Sequence, residues 1–215
     1  RRDQCRITEK SDQQIKYVSS PVTGHLFLEA CPGSGKTEVV GFKTAYEMQR
    51  WEPRFFGMAV LTFTNTATKE IQERVRSFTG KTDNYPHFID TFDSWLHSFL
   101  VQPFGYKVGG SSGQQNELTM RLIQDRKRHH FLDGFKVFPK HIDRKPLLVN
   151  QYTWDPYSEC FYYYNRGERL VLEPSKWDYR RLRETKQKLW RAGFFTHDDT
   201  EAISYLLCKE EVGHR

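Results

Sequence analysis

The stretch LEACPGSGKTEVV, residues 28–40, concentrates groups that could hold a phosphate. Gly33 and Gly35 permit a tight, unobstructed backbone whose amides point inward. Lys36 adds a full positive charge, and Thr37 offers a hydroxyl to a magnesium ion. A phosphate-binding loop has Gly, four residues, then Gly-Lys-Ser/Thr. Ala30 stands at the first of these positions, so the strict pattern is one residue short. The flanks supply context. GHLFL (24–28) is a short apolar run after the turn-prone PVTG, and reads as a buried strand. EVVGFKTAYEMQR (38–50) places Val39, Val40, Phe42, Lys43, Tyr46 and Met48 at roughly helical spacing. It predicts an amphipathic helix that ends before Trp51 and Pro53.

Further elements must position this loop. SDQQIKYV (11–18) opens with Ser11 followed by Gln14, a capping-box pattern leading into a short helix. FGMAVLTFT (56–64) reads as a second buried strand, and NTATKEIQERVRSF (65–78) as a helix with Ile71, Val75 and Phe78 on one face. PHFIDTF (86–92) reads as a third strand and DSWLHSFL (93–100) as a third helix. Residues 22–100 thus alternate strand and helix three times, the pattern of a parallel sheet with helices on its faces. Ligands of such sheets bind at the carboxyl ends of the strands. The three strand ends here carry ACPGSGKT, TFTNT and DTFDS.

Beyond Pro103 the character changes. GYKVGGSSGQQNE (105–117) reads as a flexible loop, and residues 118–130, ending in RKRHH, as a helix. Residues 147–174 are aromatic and strand-like, with CFYYY and RLVLE forming a hairpin that has Asn165 and Gly167 in its turn. SKWDYRRLRETKQKLWRAG (175–193) predicts a long helix stopped at Gly193, and THDDTEAISYLLCKEE (196–211) another, opened by a Thr cap. The fold class expected is α/β: a parallel-sheet lobe with a mixed, mostly helical, basic insertion.

With 215 residues the chain can bury a sizeable core. That length suits one domain, or one and a half, at roughly 100–200 residues each. No apolar run approaches the roughly 18 residues needed to cross a membrane, and no signal-peptide core lies near the start. Cys5, Cys31, Cys160 and Cys208 form no CxxC pair, which argues against a zinc site or a disulfide scaffold and fits a reducing cytoplasm. The formal net charge is +6. Residues 121–150 hold eight Lys/Arg against three Asp/Glu, and residues 166–191 hold nine against four. The basic excess therefore lies in the second half, as either a polyanion-binding surface or a solvated helix face.

The pieces QQIKYV, ACPGSGKT, LTFTNTATKEIQERV and DTFDSWLHSFL, in this order and spacing, resemble the opening motifs of UvrD/Rep-like superfamily 1 DNA helicases. FTHDDTEAISYLL resembles the helix that this family places before its magnesium-binding acidic strand. The resemblance covers residues 11–100 and 193–208; the segment between matches the family's variable insertion by position only. It implies a first RecA-like, P-loop NTPase lobe over residues 1–103, an inserted subdomain over 104–192, and a return to the lobe over 193–215. It implies ATP and Mg2+ as cofactors and single-stranded or partly duplex DNA as partner.

Residue by residue, the resemblance implies that Gln14 reads the adenine edge, although a plain capping-box glutamine explains the same residue. Pro32, Gly33, Ser34, Gly35 and Lys36 would cradle the phosphates, with Thr37 on the metal, so that Lys36 and Thr37 serve catalysis. Phe63, Thr64 and Asn65 would meet single-stranded DNA, Phe63 by stacking on a base; as part of an alternating strand, Phe63 could equally be core. Thr91, Phe92 and Ser94 belong to the next DNA-contacting motif, and Arg180, Arg181 and Arg183 to the basic surface. Two residues depart from the family: Asp93 stands where many relatives have His, and Glu38 where a basic residue is common.

Asp-Glu occurs nowhere in the chain, whereas the family needs an acidic pair on the next strand and a second motor lobe whose arginines reach the γ-phosphate. The expectation is therefore the N-terminal portion of a longer cytoplasmic helicase, with little ATPase activity by itself. The alternative is a non-catalytic nucleotide- or nucleic-acid-binding module acting as a partner or regulator.

Overall fold

A computed structural model describes residues 11–29, 31–52, 55–82, 84–109, 121–123, 130–138, 145–174 and 177–213. It divides into two compact units, residues 1–92 and 93–215.

In the first unit the local helix signals are realised. Helix α1 (Asp12–Ser19) begins with both halves of the capping box, Ser11 and Gln14 each accepting from the other's backbone N–H. Helix α2 (Lys36–Arg50) buries Val39, Phe42, Ala45 and Met48 and stops at Trp51. Strand β1 (Ala59–Thr62) leads into α3 (Asn65–Thr79), whose N-cap Thr64 accepts from the Ala67 N–H. Gly80, with φ of 68°, ends α3 by donating its N–H to the Arg76 carbonyl. Strand β2 (Phe88–Thr91) pairs in parallel with β1, register Thr62 to Thr91. Ala45 and Met48 of α2, Ile71 and Val75 of α3 and Ile89 of β2 form the core.

The pair of strands is locked at its amino end. A Cβ at Gly57 would overlap the Pro86 carbonyl, so only glycine permits this approach. The Met58 N–H donates to Nδ1 of His87 at 3.2 Å. Burial, with Lys81 nearby, lowers the His87 pKa, which keeps this nitrogen free to accept at neutral pH.

Two expectations fail in this unit. Residues 24–28 form no strand, and Phe27 is 92% exposed. An apolar run becomes a strand only when a neighbour takes its amides, and among the described residues the sheet has two strands, β1 and β2. Nor is β1 fully buried: Val60 and Thr62 turn inward while Leu61, 37% exposed, turns outward.

The second unit opens with α4 (Phe92–Leu96, its first residue belonging to the first unit), which runs through a wider π-helical turn (His97–Val101) into α5 (Gln102–Gly109). Residues 105–109 are therefore helical rather than loop; residues 110–117 lie outside the described part. Strand β3 (Arg121–Ile123) corrects the helix expected over 118–130 and pairs in parallel with β7 (Phe194–Thr196). The rest of that expected helix lies outside the described residues, except His130, which opens a 3-10 turn (His130–Phe135). Pairing with a strand more than seventy positions away overrode the local pattern.

Strands β4 (Thr153–Asp155), β5 (Cys160–Asn165) and β6 (Glu168–Val171) form an antiparallel sheet. Asn165 pairs with Glu168, so the two-residue turn is Arg166 and Gly167, at φ of 51° and 87°. Asn165 thus ends its strand instead of turning. Phe161 and Tyr163 face a core shared with Leu182 and Leu189 of α6 (Trp177–Arg191). Helix α7 (His197–Gly213) packs Ile203 and Leu207 with Trp190, Phe195 and Val101. Its expected Thr cap is reversed: the Thr196 Oγ1 has no hydrogen-bond partner among the described residues, and the Thr196 N–H instead donates to the Asp199 carboxylate at 2.9 Å.

Candidate nucleotide and nucleic-acid site

The loop before α2 is organised around one carbonyl. Ser34 donates to the Cys31 oxygen from its N–H at 3.2 Å and from its hydroxyl at 2.7 Å. Lys36 Nζ folds back onto the same oxygen at 2.8 Å. Gly33 and Gly35 take φ of 78° and 80°, a region that glycine enters without strain. Gly35 is also the N-cap of α2, and as glycine it has no side chain to cap that helix. Its leading N–H groups therefore present partial positive charge, as an anion site requires. A Cβ placed on Gly33 would meet nothing within 4 Å, so the approach to the loop backbone is open.

Gln14 serves the capping box through Oε1 and reaches the Ser34 carbonyl through Nε2 at 3.5 Å. The capping reading is thus correct, and the same side chain still borders the loop. Lys43 holds α1 in place: from the buried face of α2 its Nζ donates to the Ser20 carbonyl at 2.6 Å, to Val18 at 3.4 Å and to Glu47 at 3.3 Å. Sequence reading placed Lys43 on the apolar stripe without a role. A lysine in such a stripe is itself the signal, because a buried ammonium requires acceptors.

At the carboxyl end of β1, the Thr62 hydroxyl meets that of Thr68 at 2.6 Å and donates to the Thr64 carbonyl at 3.1 Å. Thr64 is committed as the α3 cap, and Asn65 is the exposed first residue of that helix. Between Thr62 and Thr64, Phe63 is 96% exposed. Its core reading is overturned, because Leu61 and Phe63 share the outward face. Across the parallel register, Thr91 donates its N–H to the Asp90 carboxylate at 2.6 Å, and Phe92 is 42% exposed. Two aromatic rings thus leave the same edge of the β1–β2 pair.

In the second unit, Ser94 is half-buried in α4. Arg180, Arg181 and Arg183 lie on the exposed side of α6, with Arg180 bridging to Glu184 at 3.2 Å. No cluster of three or more His, Cys, Asp or Glu suited to a metal occurs among the described residues. No helix of the described residues is long and apolar enough to cross a membrane. Cys31, Cys160 and Cys208 are free thiols, and Cys5 lies outside the described residues.

The UvrD/REP helicase N-terminal domain family matches residues 10–154. A probable DNA helicase II homolog of Mycoplasma capricolum subsp. capricolum is 37% identical over 90 residues, covering 42% of this chain and 12% of that protein. DNA helicase II of Haemophilus influenzae is 27% identical over 196 residues, 88% of this chain and 24% of its own length. The ATP-dependent DNA helicase Rep of Escherichia coli is 29% identical over 132 residues, 57% of this chain and 19% of its own length. The chain thus spans a quarter or less of the relatives it matches. The family's N-terminal domain has a RecA-like α/β fold, in keeping with the helices and parallel strand pairs found here. With the family matching two thirds of its length, this chain belongs to the UvrD/Rep helicases and carries their N-terminal portion.

Proposed function

We propose that the chain is the front part of a cytoplasmic ATP-dependent DNA helicase or translocase. It binds ATP-Mg at Pro32–Thr37 and tracks single-stranded DNA past Phe63, Thr64, Asn65, Thr91, Phe92 and Ser94. The observation that carries the reading is the start of α2 on a left-handed glycine, with Lys36 poised over the loop. Lys36 would leave the Cys31 carbonyl for the β- and γ-phosphates, and the Thr37 hydroxyl would ligate magnesium. Magnesium, when bound, would supply charge neutralisation for the phosphates. Gln14, already against Ser34, would turn its amide to the adenine edge. An acidic pair and a second lobe, supplied from outside these residues, would complete hydrolysis, so this chain alone turns over little ATP. Residues 1–103 with 193–215 form the motor lobe in this reading, and 104–192 the insertion.

Stacking on Phe63 is tested by Phe63→Ala. The ring is almost wholly in solvent, so the melting temperature should hardly move. Affinity for single-stranded DNA should fall by about 1–3 kcal/mol. Fluorescence anisotropy and thermal melts on the same sample decide it; a stability loss with unchanged DNA affinity would sink the stacking role.

The basic helix α6 calls for a salt titration. The logarithm of the binding constant should fall with the logarithm of salt by about 0.7 per phosphate contact on single strands. Reversing Arg180, Arg181 and Arg183 to Glu should flatten that slope by about 2. An unchanged slope would make this face of α6 a solvated surface only.

A further inference from the structure

We propose that the Glu38–Arg74 pair sets how tightly the phosphate loop holds nucleotide, Glu38 opposing the polyphosphate and Arg74 damping that opposition. The proposal rests on the nucleotide reading of Gly33–Thr37. Glu38 lies in the first turn of α2. A Cβ on Gly35 would come within 3.6 Å of its Oε2. A carboxylate is favoured there by the partial positive charge of the helix start. The loop offers that same charge to phosphate. Two anions therefore draw on one electrostatic site, and the resident one lowers the affinity for the incoming one.

Arg74 of α3 is placed to moderate this. Its Nη1 stands 3.9 Å from the Glu38 Oε1, a loose contact rather than a bidentate fork. Its stem packs over Gly41, where an added Cβ would lie 3.0 Å from the arginine Cδ and 3.1 Å from its Cβ. Its buried Nε has no hydrogen-bond partner among the described residues. Packing, more than hydrogen bonding to Glu38, therefore sets the guanidinium beside that carboxylate. Its charge offsets the carboxylate without neutralising it.

The test is calorimetry of the complete chain with MgADP as probe. Glu38→Gln should tighten binding by about threefold to tenfold, and the gain should shrink as salt is raised. Arg74→Met, which keeps an unbranched stem over Gly41, should weaken binding by a similar factor. The double variant should return close to the parent. Unchanged or weaker binding by Glu38→Gln overturns the proposal; weaker binding would make Glu38 a magnesium-side ligand instead. If Arg74→Met does not fold, Glu38→Gln and its salt dependence decide alone. Lys36→Ala separates the two levels. Binding lost in Lys36→Ala but unchanged in Glu38→Gln refutes the pair and keeps the loop. Binding absent in the parent, or unaffected by Lys36→Ala, refutes both.

Discussion

Replacing Lys36 by alanine should abolish measurable binding of MgADP while the chain stays folded. The expected loss is on the order of a hundredfold or more, the scale of charge-assisted hydrogen bonds to phosphate. The loop amides and the α2 terminus remain in the variant, but their partial charges poorly offset a polyphosphate without the ammonium. The fold should tolerate the change. Lys36 donates to the Cys31 carbonyl, which also receives both Ser34 donors, so that acceptor is not left bare. The stability change should stay within about 0.5 kcal/mol, as for a surface substitution. Lys36→Arg should not restore affinity, because a forked guanidinium does not replace a compact ammonium in a tight loop. Calorimetry gives the affinity, and a thermal melt shows that the variant is folded. Equal affinity in a folded Lys36→Ala would remove the loop from the nucleotide site.

Lys186→Met should cost about 3–5 kcal/mol of stability, the usual consequence of stranding one member of a buried ion pair. Lys186 is 1% exposed and its Nζ lies 2.7 Å from Asp199, itself wholly buried. The ammonium also donates to the Tyr152 carbonyl at 2.8 Å, and the aspartate accepts from the Thr196 N–H at 2.9 Å. The pair thus joins α6, the start of α7 and the short turn before β4 in one polar junction. Methionine keeps the length of the stem but leaves the Asp199 charge without its counterion. Pairing Lys186→Met with Asp199→Leu should recover only part of the loss. An all-apolar replacement of an ion pair is often neutral, but here it would leave the Tyr152 carbonyl and the Thr196 N–H unsatisfied. Denaturant melts of the single and double variants measure both steps. A single variant as stable as the parent would show that the junction carries no net stability.

The turn of the loop and the helices around it were legible in the amino-acid order, because both rest on interactions within a few residues. Ser11 and Gln14 cap α1 across one turn, Thr64 caps α3, and Ile71 and Val75 share a face through the helical repeat. The phosphate-loop pattern is local in the same way. Partners distant in the chain were not legible. Whether residues 24–28 form a strand depends on a ladder neighbour, and β3 exists because residues 194–196 pair with it. Strand alternation put Leu61 and Phe63 on one face but left open which face is inside. Only the packing of Val60 with the core settled that the Phe63 ring meets solvent. The hairpin turn moved to Arg166 and Gly167 because the pairing of Asn165 with Glu168 sets the register, not the turn preference of asparagine. Lys186 and Asp199 each look like an ordinary helix charge. A buried charge needs a partner from another element, and only the tertiary structure brings α6 against the start of α7 to supply it.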